Sequence, residues 1–237
     1  MIHHFGVLLP STNTTGEMEY SRLVPPAYQA HYARLLTSST AKSPFAPPRD
    51  EDRDYQAKLL GTARVEVVFL LQTSACLAPG YDADAVRRIS EGAGCPAFTS
   101  AQAIGRAACA LGTRRVALVS PYSVEVNAAA KRYFEEVHGL SVVALEGFAA
   151  KDSYMIGQLG QENARDAFAR IDRPEIEAFL VPGGNFPTMA AIAGWEREFK
   201  KPVVTTNQAA LWAVLRHFGG SDRIPGLGRL LEEVPAG

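Results

Sequence analysis

"CPAFTSAQAIGRAACALG", residues 95–112, and "KPVVTTNQAALWAVLRHFG", residues 201–219, are two versions of one pattern. Each has a Pro-led strand of β-branched or aromatic residues, a small polar pair or triplet, and an Ala-rich amphipathic helix that ends at Gly. Upstream of each lies an apolar strand that breaks into a small-residue loop, "TSAC" in one case and "PGGN" in the other. Cys76 to Thr99 is 23 positions, and Gly183 to Thr205 is 22. Further upstream, "VLLPSTN" and "ALVSPYS" are matching strand-to-loop junctions, with Asn13 to Cys76 at 63 positions and Tyr122 to Gly183 at 61. Two agreeing pairs of offsets imply a duplication, with one half over 1–112 and the other over 113–219. The tail, 220–237, is expected to complete the packing of the first half.

The rest of the chain keeps the alternation. Strands are predicted over 5–9, 30–36, 65–71, 97–99, 115–120, 141–146, 178–181 and 203–205, and helices over 53–62, 82–93, 100–111, 123–137, 160–169, 187–199 and 208–217. Short β-branched runs between amphipathic helices make an α/β fold of two pseudo-symmetric, Rossmann-like parallel-sheet lobes. In such sheets ligands sit beyond the carboxyl ends of the strands, so the matched loops are expected to face one shared cleft.

Composition removes several function classes. The 237 residues carry a formal net charge of −1 with both signs interspersed, so no basic stripe argues for nucleic acid or an anionic membrane surface. The apolar runs fall well short of the ~20 residues that cross a bilayer. "MIHHFGVLLPST" has no basic leader region, which leaves the cytoplasm as the simplest address. Cys76, Cys95 and Cys109 are odd in number and lack CxxC spacing, against both a disulfide framework and a zinc site. The five histidines show no HExxH spacing, and neither GxGxxG nor GxxxxGK[ST] occurs.

The strand-end loops carry the candidate chemistry. "PSTNTTGE", residues 10–17, offers Ser11 and Asn13, and its hydroxyls and amide serve either to cap a helix or to cradle a carboxylate. Cys76 is either a buried filler or a thiol held out for reaction, and none of its neighbours is a base or a charge. "SPYSVEVN" places Tyr122 and Ser123 at a strand end. "VPGGNFPT" brings Gly183, Gly184 and Asn185, which form either an ordinary turn or a backbone that leaves N–H groups for an oxyanion.

Together, "GVLLPSTNTTGE", "TSACLAPG", "VALVSPYSVEVN", "FLVPGGNF" and "PVVTTNQAALWAVL" resemble the maleate cis-trans isomerase and arylmalonate decarboxylase family of the aspartate/glutamate racemase superfamily. The resemblance implies a two-lobed fold that acts on a small carboxylate between the lobes, with no metal or organic cofactor. Isomerases of the family have two cysteines facing each other across the substrate. By resemblance Cys76 matches the first, and Gly183 stands at the second. Asn13 and Tyr122 match carboxylate-binding positions, while Leu77, Ala78 and Gly184 match backbone N–H donors. Ser153 falls where the isomerases tend to have Asn.

A lone thiol opposite a glycine disfavours two-base racemisation. It leaves three expectations: isomerisation of a maleate-like dicarboxylate by addition of the Cys76 thiolate, decarboxylation of a substituted malonate with Cys76 as proton donor and inverted product chirality, or carboxylate binding without turnover. The Pro-rich stretch 38–55 suits either a lid or a solvated connection. "AALWAVL" suits either the core or the seam of a homo-oligomer.

Overall fold

Two parallel sheets of four strands each repeat one topology, β2-β1-β3-β4 and β6-β5-β7-β8. The computed structural model describes residues 2–36, 38, 46–220 and 222–234. In the first sheet β1 (His3–Pro10) lies between β2 (Tyr28–Leu35) and β3 (Val67–Leu70), and β3 pairs with β4 (Ala97–Thr99). In the second, β5 (Arg115–Ser120) lies between β6 (Ser141–Gly147) and β7 (Ala178–Val181), and β7 pairs with β8 (Val203–Thr205). The central strands β3 and β7 are buried throughout, which is why their sequences "VVFL" and "AFLV" read as unbroken apolar runs.

Helices α1 (Gly16–Leu23), α2 (Asp50–Thr62), α3 (Thr73–Cys76), α4 (Tyr81–Ala93) and α5 (Ser100–Ala110) belong to the first repeat. Helices α6 (Val124–His138), α7 (Gln161–Ile171), α8 (Ile192–Phe199) and α9 (Thr206–His217) belong to the second, and α10 (Arg229–Glu233) packs on α9. The eight predicted strands and seven predicted helices are all present within a few residues. The short helices α1, α3 and α10 and the 3₁₀ turns Met155–Gln158 and Met189–Ala191 are additions. They are too brief to show periodicity in the sequence.

The last helix of each repeat packs across the molecule. α5 lies on α9 and touches β7 and β8, while α9 reaches β3. One core therefore joins Phe69 and Leu70 of the first sheet, Leu118 and Leu180 of the second, and Leu211, Trp212 and Leu215 of α9. All of the "AALWAVL" segment except the partly exposed Ala213 is buried in this core. In each sheet the order reverses direction at the central pair, β1 and β3 or β5 and β7, so a crevice opens at their carboxyl ends. Among the described residues no helix is long and apolar enough to cross a membrane.

Candidate active site

Both crevices open into a single cleft. It is lined by Pro10 and Asn13 after β1, Leu71 to Ser74 after β3, Tyr122 after β5, Gly183 to Asn185 after β7, and Ser153 and Ile156 from the β6–α7 connection. Its free volume is about 40 Å³.

Asn13 serves as the cap, and its amide nitrogen is used between the halves. Its Oδ1 accepts from the Thr15 and Gly16 amides at 3.0 and 2.8 Å, capping α1, and its Nδ2 donates to the Gly184 carbonyl at 3.2 Å in the other half. The neighbouring hydroxyls clasp loops together. Thr15 Oγ1 donates to the Asn185 carbonyl at 2.8 Å, the Thr14 amide donates to Asn185 Oδ1 at 2.8 Å, and the Thr12 and Ser153 hydroxyls meet at 3.0 Å. Asn185 Nδ2 donates to the Ser153 carbonyl at 2.7 Å. Asn185 is thus the stitch between three cleft loops, a role its place in "VPGGNFPT" did not reveal.

Tyr122 is buried, and its hydroxyl is hydrogen-bonded to the Thr73 side chain and the Ser74 backbone amide. Burial pushes its phenol above the ordinary tyrosine range, so it is a neutral donor at physiological pH. Beneath it, the Thr73 hydroxyl meets Ser100 Oγ at 2.9 Å and Thr206 Oγ1 at 3.4 Å, and Thr206 Oγ1 accepts from the Gly183 amide at 2.8 Å. Ser100 and Thr206 open α5 and α9, so both repeats contribute the same position to this hydroxyl floor.

Cys76 requires a correction. It is fully buried, does not line the cleft, and its Sγ donates to the Gln72 carbonyl at 3.5 Å. Its other polar neighbours are Asp82 and Thr99. Burial pushes the thiol well above its ordinary range, and the Asp82 carboxylate adds to that. Asp82 is itself held by the Thr99 hydroxyl and by the Tyr133 hydroxyl at 2.8 Å. The cause is register. Leu70 pairs with Thr99 as Val181 pairs with Thr205, so counting out from those matched rungs the counterpart of Gly183 is Gln72. Cys76 lies four residues further, at the end of α3, and its side chain is buried in the first half beside Asp82 and Thr99. In that seat the sulfur stands outside the cleft lining, and α3 must open before it meets a bound acid.

Four further expectations are corrected with it. Leu77 and Ala78 line a separate hollow beside Tyr133 and Arg132. Ser11 is exposed, and its amide is spent on the Leu35 carbonyl at 2.7 Å. Ser123 caps α6 by accepting from the Val126 amide at 3.5 Å. Asn13, Tyr122, Ser153, Gly183 and Gly184 are brought together as expected. Gln72, Thr73 and Ser74 were missed, although the small polar residues directly after an apolar strand were a legible signal. Gln72 Nε2 donates to the Ala46 carbonyl at 3.0 Å, tying the end of the 38–55 connection to the cleft mouth. Residues 39–45, the centre of the candidate lid, lie outside the described residues.

The family model for arylmalonate decarboxylase matches residues 50–231. The chain belongs to the arylmalonate decarboxylase family. Curated relatives in and around this family include the maleate isomerase of Alcaligenes faecalis, 26% identical over 98% of this chain and 97% of the relative. The arylmalonate decarboxylase of Bordetella bronchiseptica is 29% identical over 75% of each chain. Among solved structures, a cysteine-to-alanine variant of the maleate isomerase Iso from Pseudomonas putida S16, crystallised with maleate, superposes with a TM-score of 0.91 at 25% identity over 100% of both chains. In this chain Tyr122, Thr73 and Ser74 line the cleft, and no cysteine lines it among the described residues.

Proposed function

We propose that the chain is an isomerase of the maleate type, which holds a small unsaturated dicarboxylate and stabilises the enediolate formed when a nucleophile adds to the double bond. The observation that carries this reading is the Tyr122 hydroxyl, held by Thr73 and Ser74 beside Gly184 and Asn185, within a frame shared over its full length with a maleate isomerase. Addition to one olefinic carbon breaks the π bond and sends its electron pair into the carboxylate carried by the other olefinic carbon. Fixed donors around that oxygen pair lower the barrier more than mobile water does. Rotation about the new single bond and departure of the nucleophile then give the trans acid.

The nucleophile in this reading is Cys76, the cysteine one turn from the cleft. To act it must pass its proton to Asp82, the carboxylate against it, and swing past Gln72 as the four-residue α3 unwinds.

A second reading is favoured by the sulfur-free lining. Decarboxylation of a substituted malonate passes through the same enediolate and needs no nucleophile: carbon dioxide leaves, the electron pair delocalises into the remaining carboxylate, and Tyr122 or water returns a proton to the α-carbon. Proton NMR with maleate and a panel of malonates in heavy water separates the two. Fumarate that disappears in Cys76→Ala supports the isomerase. Carbon dioxide release with deuterium at the α-carbon, retained in Cys76→Ala, supports the lyase. Binding with no conversion sinks both and leaves a carboxylate-binding protein.

The same proposal divides the chain into lobes at 112/113, with 220–237 completing the first. It places the protein in the cytoplasm, where Cys76, Cys95 and Cys109 stay reduced.

A further inference from the structure

Glu19 is a carboxylate buried to 4% exposure, without an ion-pair partner among the described residues, that bonds across the two halves. Its Oε1 accepts from the Thr188 and Met189 amides, both at 2.9 Å, at the start of the 3₁₀ turn that follows the Gly183 loop. Its Oε2 accepts from Asn207 Nδ2 at 2.6 Å. The same Nδ2 donates to the Gly184 carbonyl at 3.2 Å, where it meets Asn13 Nδ2, also at 3.2 Å. Asn207 Oδ1 is buried without a partner, so Glu19 and Gly184 alone decide which way the Asn207 amide is turned.

We propose that Glu19 is a positioning residue for the cleft: through Asn207 it fixes the Gly184 carbonyl, and thereby aims the Asn185 amide as a donor for a bound carboxylate. The peptide between Gly184 and Asn185 is planar and trans, so its N–H points opposite to its C=O. With the carbonyl held by Asn13 and Asn207, the N–H has one direction left. That amide has no acceptor among the described residues, and Asn185 lines the cleft. Glu19 itself touches no ligand. Its part is to keep the amide aimed before the ligand arrives, which removes an ordering cost from binding. The inference rests on the carboxylate-binding reading of the cleft.

Gln at position 19 exposes the logic. With its oxygen kept on Thr188 and Met189, its NH₂ faces the Asn207 NH₂, and Asn207 must turn. Turning sets Oδ1 against the Gly184 carbonyl, which then loses one of its two donors.

The test is an amide-resolved NMR titration with maleate and with malonate on the unmodified chain, Glu19→Gln, Asn207→Ala and the double variant. Glu19→Gln is expected to displace the Asn185 amide resonance and to weaken dicarboxylate binding about tenfold, the effect of losing one hydrogen bond to a charged ligand. Asn207→Ala should do the same, and the double variant should be no worse than the poorer single one, because both act on one link. The inference is overturned if Glu19→Gln lowers thermal stability yet leaves the Asn185 resonance and affinity unchanged, or if the two single effects add. Should Glu19→Gln fail to fold, Asn207→Ala carries the same expectation. Should the unmodified chain bind neither acid, the carboxylate reading fails, while the displacement of Asn185 still decides the role of Glu19.

Discussion

The two strand ends that wall the cleft start alike and part within two residues. Leu70 and Val181 each pair with a Thr that precedes a long helix, Thr99 before α5 and Thr205 before α9. After β3 the chain coils at once into α3, so Gln72, Thr73 and Ser74 meet the cleft and Cys76 is turned away. After β7 it stays open through Gly183, whose φ of +134° favours glycine, and the backbone itself meets the cleft. A duplicated topology thus provides two unlike walls, one of side-chain hydroxyls and one of amides. The residue at each strand end meets the cleft directly, whereas a cysteine four residues further on reaches it only if α3 opens.

The sharpest way to break this comparison is to move the sulfur. Gln72→Cys is expected to raise isomerisation of maleate, or deuterium exchange into a bound dicarboxylate, by about 10²-fold or more, the range that a positioned acid–base group supplies. Gly183→Cys should bring no such gain, since its φ is strained for any side chain and its Cβ would stand 3.0 Å from Pro121 Cγ. Equal gains from both would show that the walls are equivalent after all.

Tyr122→Phe removes one hydroxyl and no packing. Turnover should fall by roughly 10²–10³ with a smaller change in binding, as for the loss of one oxyanion donor. Because burial raises the phenol, the unmodified enzyme should show no alkaline loss attributable to Tyr122 up to pH ~10. A rate unchanged in Tyr122→Phe would remove the hydroxyl wall from the chemistry.

Thiol labelling sharpens the same contrast. Cys95 and Cys109 are partly exposed and should react with a disulfide reagent first, with Cys76 slower by about 10²-fold, the factor for a local opening of ~3 kcal/mol. Acceleration of Cys76 labelling by maleate would show α3 opening as the isomerase reading requires. Prompt labelling without ligand would show that the sulfur is not sealed.

Glu19 gives the smallest effect. Burial raises its folded pKa above the ordinary carboxylate value, against the opposing bonds from Asn207, Met189 and Thr188. The folded chain therefore binds this proton more tightly than the unfolded one. Its contribution to stability is complete below the ordinary carboxylate pKa and is lost as pH rises through the folded value. Urea unfolding from pH 4 to 7 should show a gentler decline in Glu19→Gln. An identical slope would mean that the carboxylate carries no such cost.

Much of this was legible in sequence because it depends on local pattern. β4, β5, β7 and β8 match their predicted bounds, since each is a short β-branched or aromatic run stopped by polar or Pro residues. Asn13, Tyr122 and Gly184 were found because they follow such strands directly. Cys76 was misplaced because the offsets to Thr99 and Thr205 took no account of α3, whose one turn absorbs four residues without changing the loop's polar character. Asn185, Asn207 and Glu19 form bonds across 169 to 188 positions of sequence, a separation at which no periodicity leaves a trace.

The amino-acid order alone determined the repeated alternation of strand and helix, the two matched sets of strand-end loops and the family. Those follow from side-chain preferences that act over a few residues. Tertiary structure alone decided which side of each loop faces the partner half, because the path the backbone takes after β3 and after β7 sets which side chains meet the cleft, and that path is fixed by packing between the halves. It set hydroxyls and amides against the cleft, and the sulfur against Asp82 behind it.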